Sequence, residues 1–141
     1  MSRYFLLGGA VPFILLGVAH ALATPRSPGD GKGLSPADPG VGEAMSRSGP
    51  LLTRRTDMWK AWVGFNLSHS LGAVLFGLVV LLVGRSQRVF EAEAAVFVPL
   101  ALLVSVAYLV LGVRYWFRTP IVGIVLSVLL FAASWAMLAY S

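Results

Sequence analysis

The sequence predicts an all-α, polytopic membrane protein with four transmembrane helices in a bundle and one long Pro/Gly-rich loop between helices 1 and 2. Hydrophobic residues make up 57% of the 141 positions and charged residues only 12%, roughly half the charged fraction of a soluble domain. Four continuously apolar runs reach or exceed the ~20 residues that a helix needs to cross a bilayer. They lack the alternation of membrane β-strands, and the length predicts a single transmembrane domain, 1–141.

The first apolar run covers about residues 4–23. Arg3 before it and the Ala21-Leu22-Ala23 stretch at its end are also typical of a cleaved signal peptide. Because the run is longer than the usual apolar core of a signal peptide, we expect it to be retained as a membrane anchor.

The loop predicted for residues 24–57 is rich in glycine and proline, which make up eleven of the 33 residues in 24–56. This composition predicts irregular structure. Within the loop, residues 42–48 are a candidate for a short helix at the membrane interface.

The other predicted helices cover about 58–84, 94–117 and 120–140, with 85–94 as a connection. Thr119 is a plausible N-cap with Pro120 as the first helical residue. So tight a turn predicts that the last two helices form an antiparallel pair.

The basic residues predict an orientation in the cell (inner) membrane. Four spans place both termini on one side, with three basic residues there and eight on the other. The eight are Arg26, Lys32, Arg47, Arg54, Arg55, Lys60, Arg114 and Arg118. The positive-inside rule therefore predicts a cytoplasmic loop and external termini.

The second predicted helix carries an unusual polar stretch, Gly-Phe-Asn-Leu-Ser-His-Ser at 64–70. On an ideal helix, Gly64, Ser68 and Gly72 form a ridge of small residues that permits close helix packing. The opposite face holds Asn66 and His69, which we expect to point into the bundle because a lipid-facing amide or imidazole is costly.

Counted along each helix, polar side chains from all four spans gather in the loop-side half of the bilayer. Asn66 lies about 9 Å deep and His69 about 13 Å deep. The expected pocket is lined by His20, Trp62, Asn66, His69, Tyr108 and Ser127. Apolar walls with a few polar groups suit a small amphiphile that is lipid-like or quinone-like.

Two other interpretations remain open. The polar residues can simply hold the helices together, with the Gly64–Ser68–Gly72 ridge joining a membrane partner or a second copy in a structural or accessory role. Alternatively, His69 can act as the acid or base of a small membrane enzyme.

Composition argues against several other classes. The chain has no cysteine, and two histidines without an embedded carboxylate are a poor metal site, so no metal or cofactor is expected. The net charge of +5 is explained by topology and headgroup contact, so the expected partners are membrane lipids and not nucleic acid.

The stretch from Thr53 to Gly77 resembles the signature of a family of small, uncharacterised bacterial four-helix membrane proteins. The shared pattern is M-W-x-A-W-x-G-F-N-x-S-H-S-x-G, which begins here at Met58 and ends at Gly72. The resemblance implies one span, a long loop and three further spans, and it implies no activity.

Overall fold

A computed structural model describes residues 1–140, and these are helical with turns and loops and contain no strand. The described chain forms five helices: α1 (Ser2–Ala23), α2 (Pro39–Arg47), α3 (Met58–Arg85), α4 (Gln87–Tyr115) and α5 (Arg118–Ala139). The all-α prediction is confirmed.

Helices α1, α3, α4 and α5 are long and apolar enough to cross a membrane. They contain 22, 28, 29 and 22 residues, which at ~1.5 Å per residue is about 33 to 43 Å, against a hydrocarbon core of ~30 Å. Four such helices indicate a multi-pass membrane protein, as the sequence predicted.

Helix α4 begins earlier than predicted, so the assignment of 85–94 as a connection is wrong, and the helix ends at Tyr115 instead of 117. Ser86 is its N-cap and accepts a hydrogen bond from the Val89 amide at 3.4 Å. Glu91 and Glu93 lie just before the apolar run that was predicted to form this helix. Glutamate is nevertheless a good helix former. The helix therefore extends beyond its apolar segment.

Helix α5 begins at Arg118, so the prediction of Thr119 as its N-cap is wrong. The N-cap is Phe117, which makes no side-chain capping bond, and the helix ends one residue early, at Ala139. Pro120 is the third helical residue, a position whose amide would have no partner inside the helix anyway. Proline is therefore tolerated there as well as at the first position.

Helices α4 and α5 pack against each other across a connection of only two residues. The Trp116 amide donates to the Gly112 carbonyl at 2.9 Å and closes α4. A Cβ on Gly112 would lie 3.5 Å from Ile121, at ordinary contact distance. The predicted antiparallel pairing of these helices is confirmed.

The segment between α1 and α3 contains α2, which starts three residues before the predicted short helix. Asp38 caps it by accepting the Gly40 amide at 2.8 Å, and Pro39 is its first residue. Leu34 donates its amide to the last carbonyl of α1, Ala23, at 2.9 Å. Gly33 has φ +55°, and a side chain there would meet the Ala23 backbone, so glycine is required for this close return.

The helices divide into two compact units. The first combines residues 1–16 with the chain from Ala73 onward. Its core includes the buried side chains Leu6, Ala10, Phe13, Val98 and Phe131. Gly9 in α1 lies directly against the Phe131 ring of α5, so these two helices approach closely where glycine permits it.

The second unit is Gly17–Gly72. It comprises the last turns of α1, the whole connection with α2, and the first half of α3. It contains the polar stretch that the sequence singled out.

Candidate functional site

The faces of α3 are divided by burial as the helical periodicity predicted. Asn66 and Ser70 are buried, with 7% and 3% of their surface exposed. Gly64, Ser68 and Gly72 are exposed on the other side, and Ser68 donates only to the Phe65 carbonyl of its own helix, at 2.9 Å.

A hydrogen bond joins α1 to α3 in the second unit. The Nε2 atom of His20 lies 2.8 Å from Oδ1 of Asn66, while the Asn66 amide nitrogen donates to the Trp62 carbonyl at 2.8 Å. Because Oδ1 is a carbonyl oxygen and can only accept, His20 must carry its proton on Nε2. In the neutral ring, Nδ1 is then the acceptor.

The second histidine lies beside this pair. The ring centroids of His20 and His69 are 5.3 Å apart with an interplanar angle of 64°. Phe65, one turn earlier in α3, stacks on His69 with ring centroids 6.4 Å apart. Both histidines are half-buried. Two imidazoles and one amide therefore lie together on α1 and α3, two helices that are otherwise largely apolar.

The neighbouring hydroxyls are bonded to backbone carbonyls. Ser70 donates to the Asn66 carbonyl at 2.9 Å and Thr24 to the His20 carbonyl at 2.9 Å. Within residues 1–140, every buried side-chain nitrogen or oxygen has a hydrogen-bond partner. Trp62 is half-buried, with its ring 5.3 Å from that of Trp59.

Four of the six predicted pocket residues, His20, Trp62, Asn66 and His69, lie in the second unit. Tyr108 and Ser127 belong to the first unit. There the Tyr108 ring packs edge-on against Phe13, with centroids 5.3 Å apart. Ser127 is buried and donates to the Gly123 carbonyl of its own helix at 3.3 Å.

One polar contact was not anticipated from the sequence. Ser134 in α5 is fully buried and donates to the Ser2 carbonyl at 3.0 Å, across 132 positions of the chain. A serine in an apolar stretch of helix was the available signal, but it does not reveal which backbone group the hydroxyl meets.

Two aspartates outside the spanning helices organise local structure. Asp57 precedes α3, accepts the Lys60 amide at 2.8 Å and lies 2.9 Å from the Lys60 ammonium. The backbone hydrogen bond and then the side-chain bond from Lys60 lower the pKa of Asp57. The Ser27 hydroxyl, followed by the amides of Ser27 and Arg26, lowers the pKa of Asp30 in the same way.

Residues 1–140 hold no group of three His, Cys, Asp or Glu side chains that could ligate a metal ion. No family model, curated protein or solved structure matches the chain. The four long apolar helices alone therefore define the class of protein, a multi-pass membrane protein. Its distinctive feature is a cluster of one asparagine and two histidines between the end of α1 and the first half of α3.

Proposed function

We propose that the protein binds the polar head of a small amphiphile, lipid-like or quinone-like, at the cluster of His20, Asn66 and His69. The observation that carries the proposal is the 2.8 Å bond from His20 to Asn66 with the His69 ring alongside at 5.3 Å. Trp62, which lies in the same unit on α3, completes the proposed site.

The chemistry of the cluster supports this proposal. One interhelical hydrogen bond is enough to hold α1 against α3, and His20 and Asn66 already form it. The adjacent His69 adds a second imidazole in a helix with no embedded carboxylate. Placing an ionisable group inside a membrane helix costs free energy, so a group that is found there is a candidate functional residue. Both rings are only half-buried, so part of each ring can be reached by a molecule that lies beside the helices.

The chemistry of the two imidazoles supports one kind of head group. The Nε2 proton of His20 points to Asn66, and in the neutral ring Nδ1 is the acceptor atom. The imidazole of His69 offers one donor and one acceptor when neutral. A hydroxyl or carbonyl on an otherwise apolar molecule matches this pair, and a highly charged solute does not.

Native mass spectrometry with lipidomics tests the binding. The protein is purified in mild detergent as wild type, His69→Ala and Ser68→Ala. The first variant removes an imidazole but leaves the His20–Asn66 bond, while the second is a matched truncation on the exposed face of the same helix. We expect a co-purifying molecule that is lost only from His69→Ala. Its absence from wild type, or its retention in both variants, would reject the proposal.

A second candidate, a structural or accessory subunit or a homo-oligomer, is favoured by the exposed ridge. A Cβ built on Gly64 or Gly72 would meet no described atom within 4 Å. Small residues at spacing four let another helix approach closely. Gly64→Leu/Gly72→Leu should then dissociate a complex on native gels, while Ala107→Leu, which enlarges an exposed site on α4 to the same final side chain, should not.

We also propose, from the basic residues, that the protein lies in the inner membrane with the segment 24–57 in the cytoplasm and both termini outside.

A further inference from the structure

Two leucines between α2 and α3 are unusually exposed. Leu51 and Leu52 show 109% and 95% of their reference surface. Single exposed leucines are ordinary, but two adjacent and fully exposed ones make an apolar site on a chain segment that is otherwise polar. Arg54 and Arg55 follow them and are also exposed.

The backbone holds these residues at a turn. The Thr53 amide donates to the Pro50 carbonyl at 3.2 Å, which places both leucines at the centre of a β-turn. The Met58 amide donates to the Ser48 carbonyl at 2.8 Å and closes the base of the loop. We call residues 48–57 the interface loop; it is a closed loop with an apolar tip.

The base of the interface loop coincides with the start of a membrane-spanning helix. Asp57 and Lys60 form an ion pair at the first turn of α3, and charges of this kind mark where a span leaves the hydrocarbon. Leu52 is six residues before Met58, and extended chain covers at most ~3.6 Å per residue. The apolar tip therefore lies within about 20 Å of the level at which α3 enters the bilayer.

We propose that the interface loop anchors itself in the bilayer through Leu51 and Leu52, while Arg54 and Arg55 bind the phosphates of anionic lipids. Leucine side chains leave water for the acyl region favourably. Arginine matches phosphate oxygens with paired donors and is attracted to anionic leaflets. The apolar tip and adjacent basic pair fit a lipid surface, since a water-facing loop gains nothing from exposed leucines.

The experiment exploits the absence of cysteine from the chain. Single variants Leu51→Cys and Ala37→Cys are labelled in detergent with an environment-sensitive fluorophore and reconstituted into vesicles with or without phosphatidylglycerol. Ala37 is an exposed residue of the other connecting loop. We expect the label at residue 51 to be quenched by lipids that carry a quencher on the acyl chain. The label at residue 37 should be quenched by aqueous iodide instead.

The arginines are tested in the same vesicles. With Arg54→Gln/Arg55→Gln added to Leu51→Cys, the phosphatidylglycerol needed for half-maximal quenching should rise by about fivefold per arginine. A label at residue 51 that iodide quenches as strongly as the label at residue 37 would overturn the anchor. If quenching at residue 51 does not depend on the phosphatidylglycerol content of the vesicles, the proposed role of the arginines is wrong. Neither readout depends on the His20–Asn66–His69 cluster.

Discussion

The imidazole of His20 is bonded through Nε2 to the Asn66 side chain at 2.8 Å, across 46 positions of sequence. This contact fixes the end of α1 against the first half of α3, sets the tautomer of His20 and brings its ring to 5.3 Å from that of His69. Asn66 thus bonds one histidine, and the ring of that histidine contacts the other.

The energy of this contact can be measured by a double-mutant cycle. His20→Ala and Asn66→Ala should each destabilise the protein, and the double variant should be less destabilised than their sum, with a coupling of about 1 kcal/mol. Free energies of unfolding in mixed detergent micelles give these values. His20→Gln, whose amide can still donate to Oδ1, should recover part of the coupling, whereas additivity within error would show that the bond contributes nothing.

Neighbouring glycines in α1 should respond differently to alanine. A Cβ on Gly9 would lie 2.6 Å from Cδ1 of the buried Phe131 ring, while one on Gly8 would lie 3.5 Å from Leu130. We expect Gly9→Ala to cost about 1–3 kcal/mol through overpacking and Gly8→Ala to be neutral or slightly stabilising.

Thermal unfolding of the two glycine variants in the same detergent compares them directly. Phe131→Leu, which removes the ring that Gly9 contacts, should reduce the penalty of Gly9→Ala. Equal penalties at positions 8 and 9 would show that α1 does not approach α5 in this way.

The start of α3 should weaken in acid because of Asp57. Hydrogen bonds from Lys60 hold the pKa of this carboxyl below its usual value of about 4. Since the folded-state pKa is depressed, its stabilising effect is complete above the unfolded pKa and is lost as pH falls through the folded pKa. Carboxyl NMR titration should give this low pKa, and amide exchange near Lys60 should rise at the same pH.

The matched variant for this titration is Asp57→Asn, which can still cap the helix. Its amide exchange should not respond to acid in that range. An acid response that persists in this variant would assign the effect to another group.

Membrane topology can be tested with two cysteines introduced into the cysteine-free chain. Helix α3 lies between Ala37 and Gln87, both exposed, so a single crossing places them on opposite sides. In intact cells, an impermeant maleimide should label Gln87→Cys, and it should label Ala37→Cys only after the membrane is opened. The reverse pattern would invert the proposed orientation, and labelling of both would remove α3 as a span.

The sequence predicted the long helices and the inward face of α3 well, because apolar length and the 3.6-residue period are local properties. The sequence placed the start of α4 at residue 94 because the apolar run begins only after Glu91 and Glu93. The helix itself begins before these two residues, at Gln87. Depth counted along the helices predicted that His20 and Asn66 lie in the same, loop-side half of the bilayer. The bond between them depends on the rotation of each helix about its axis, which no local pattern specifies. The same holds for the packing of Tyr108 against Phe13.

The central claim, that the cluster binds an amphiphile, is tested most directly by native mass spectrometry of His69→Ala beside Ser68→Ala at matched stability. Binding predicts a stoichiometric small molecule on wild type and Ser68→Ala that is missing from His69→Ala. A wild-type protein with no bound molecule, or a molecule that is retained in His69→Ala, would contradict the claim. The His20–Asn66 hydrogen bond would then serve only to hold α1 against α3.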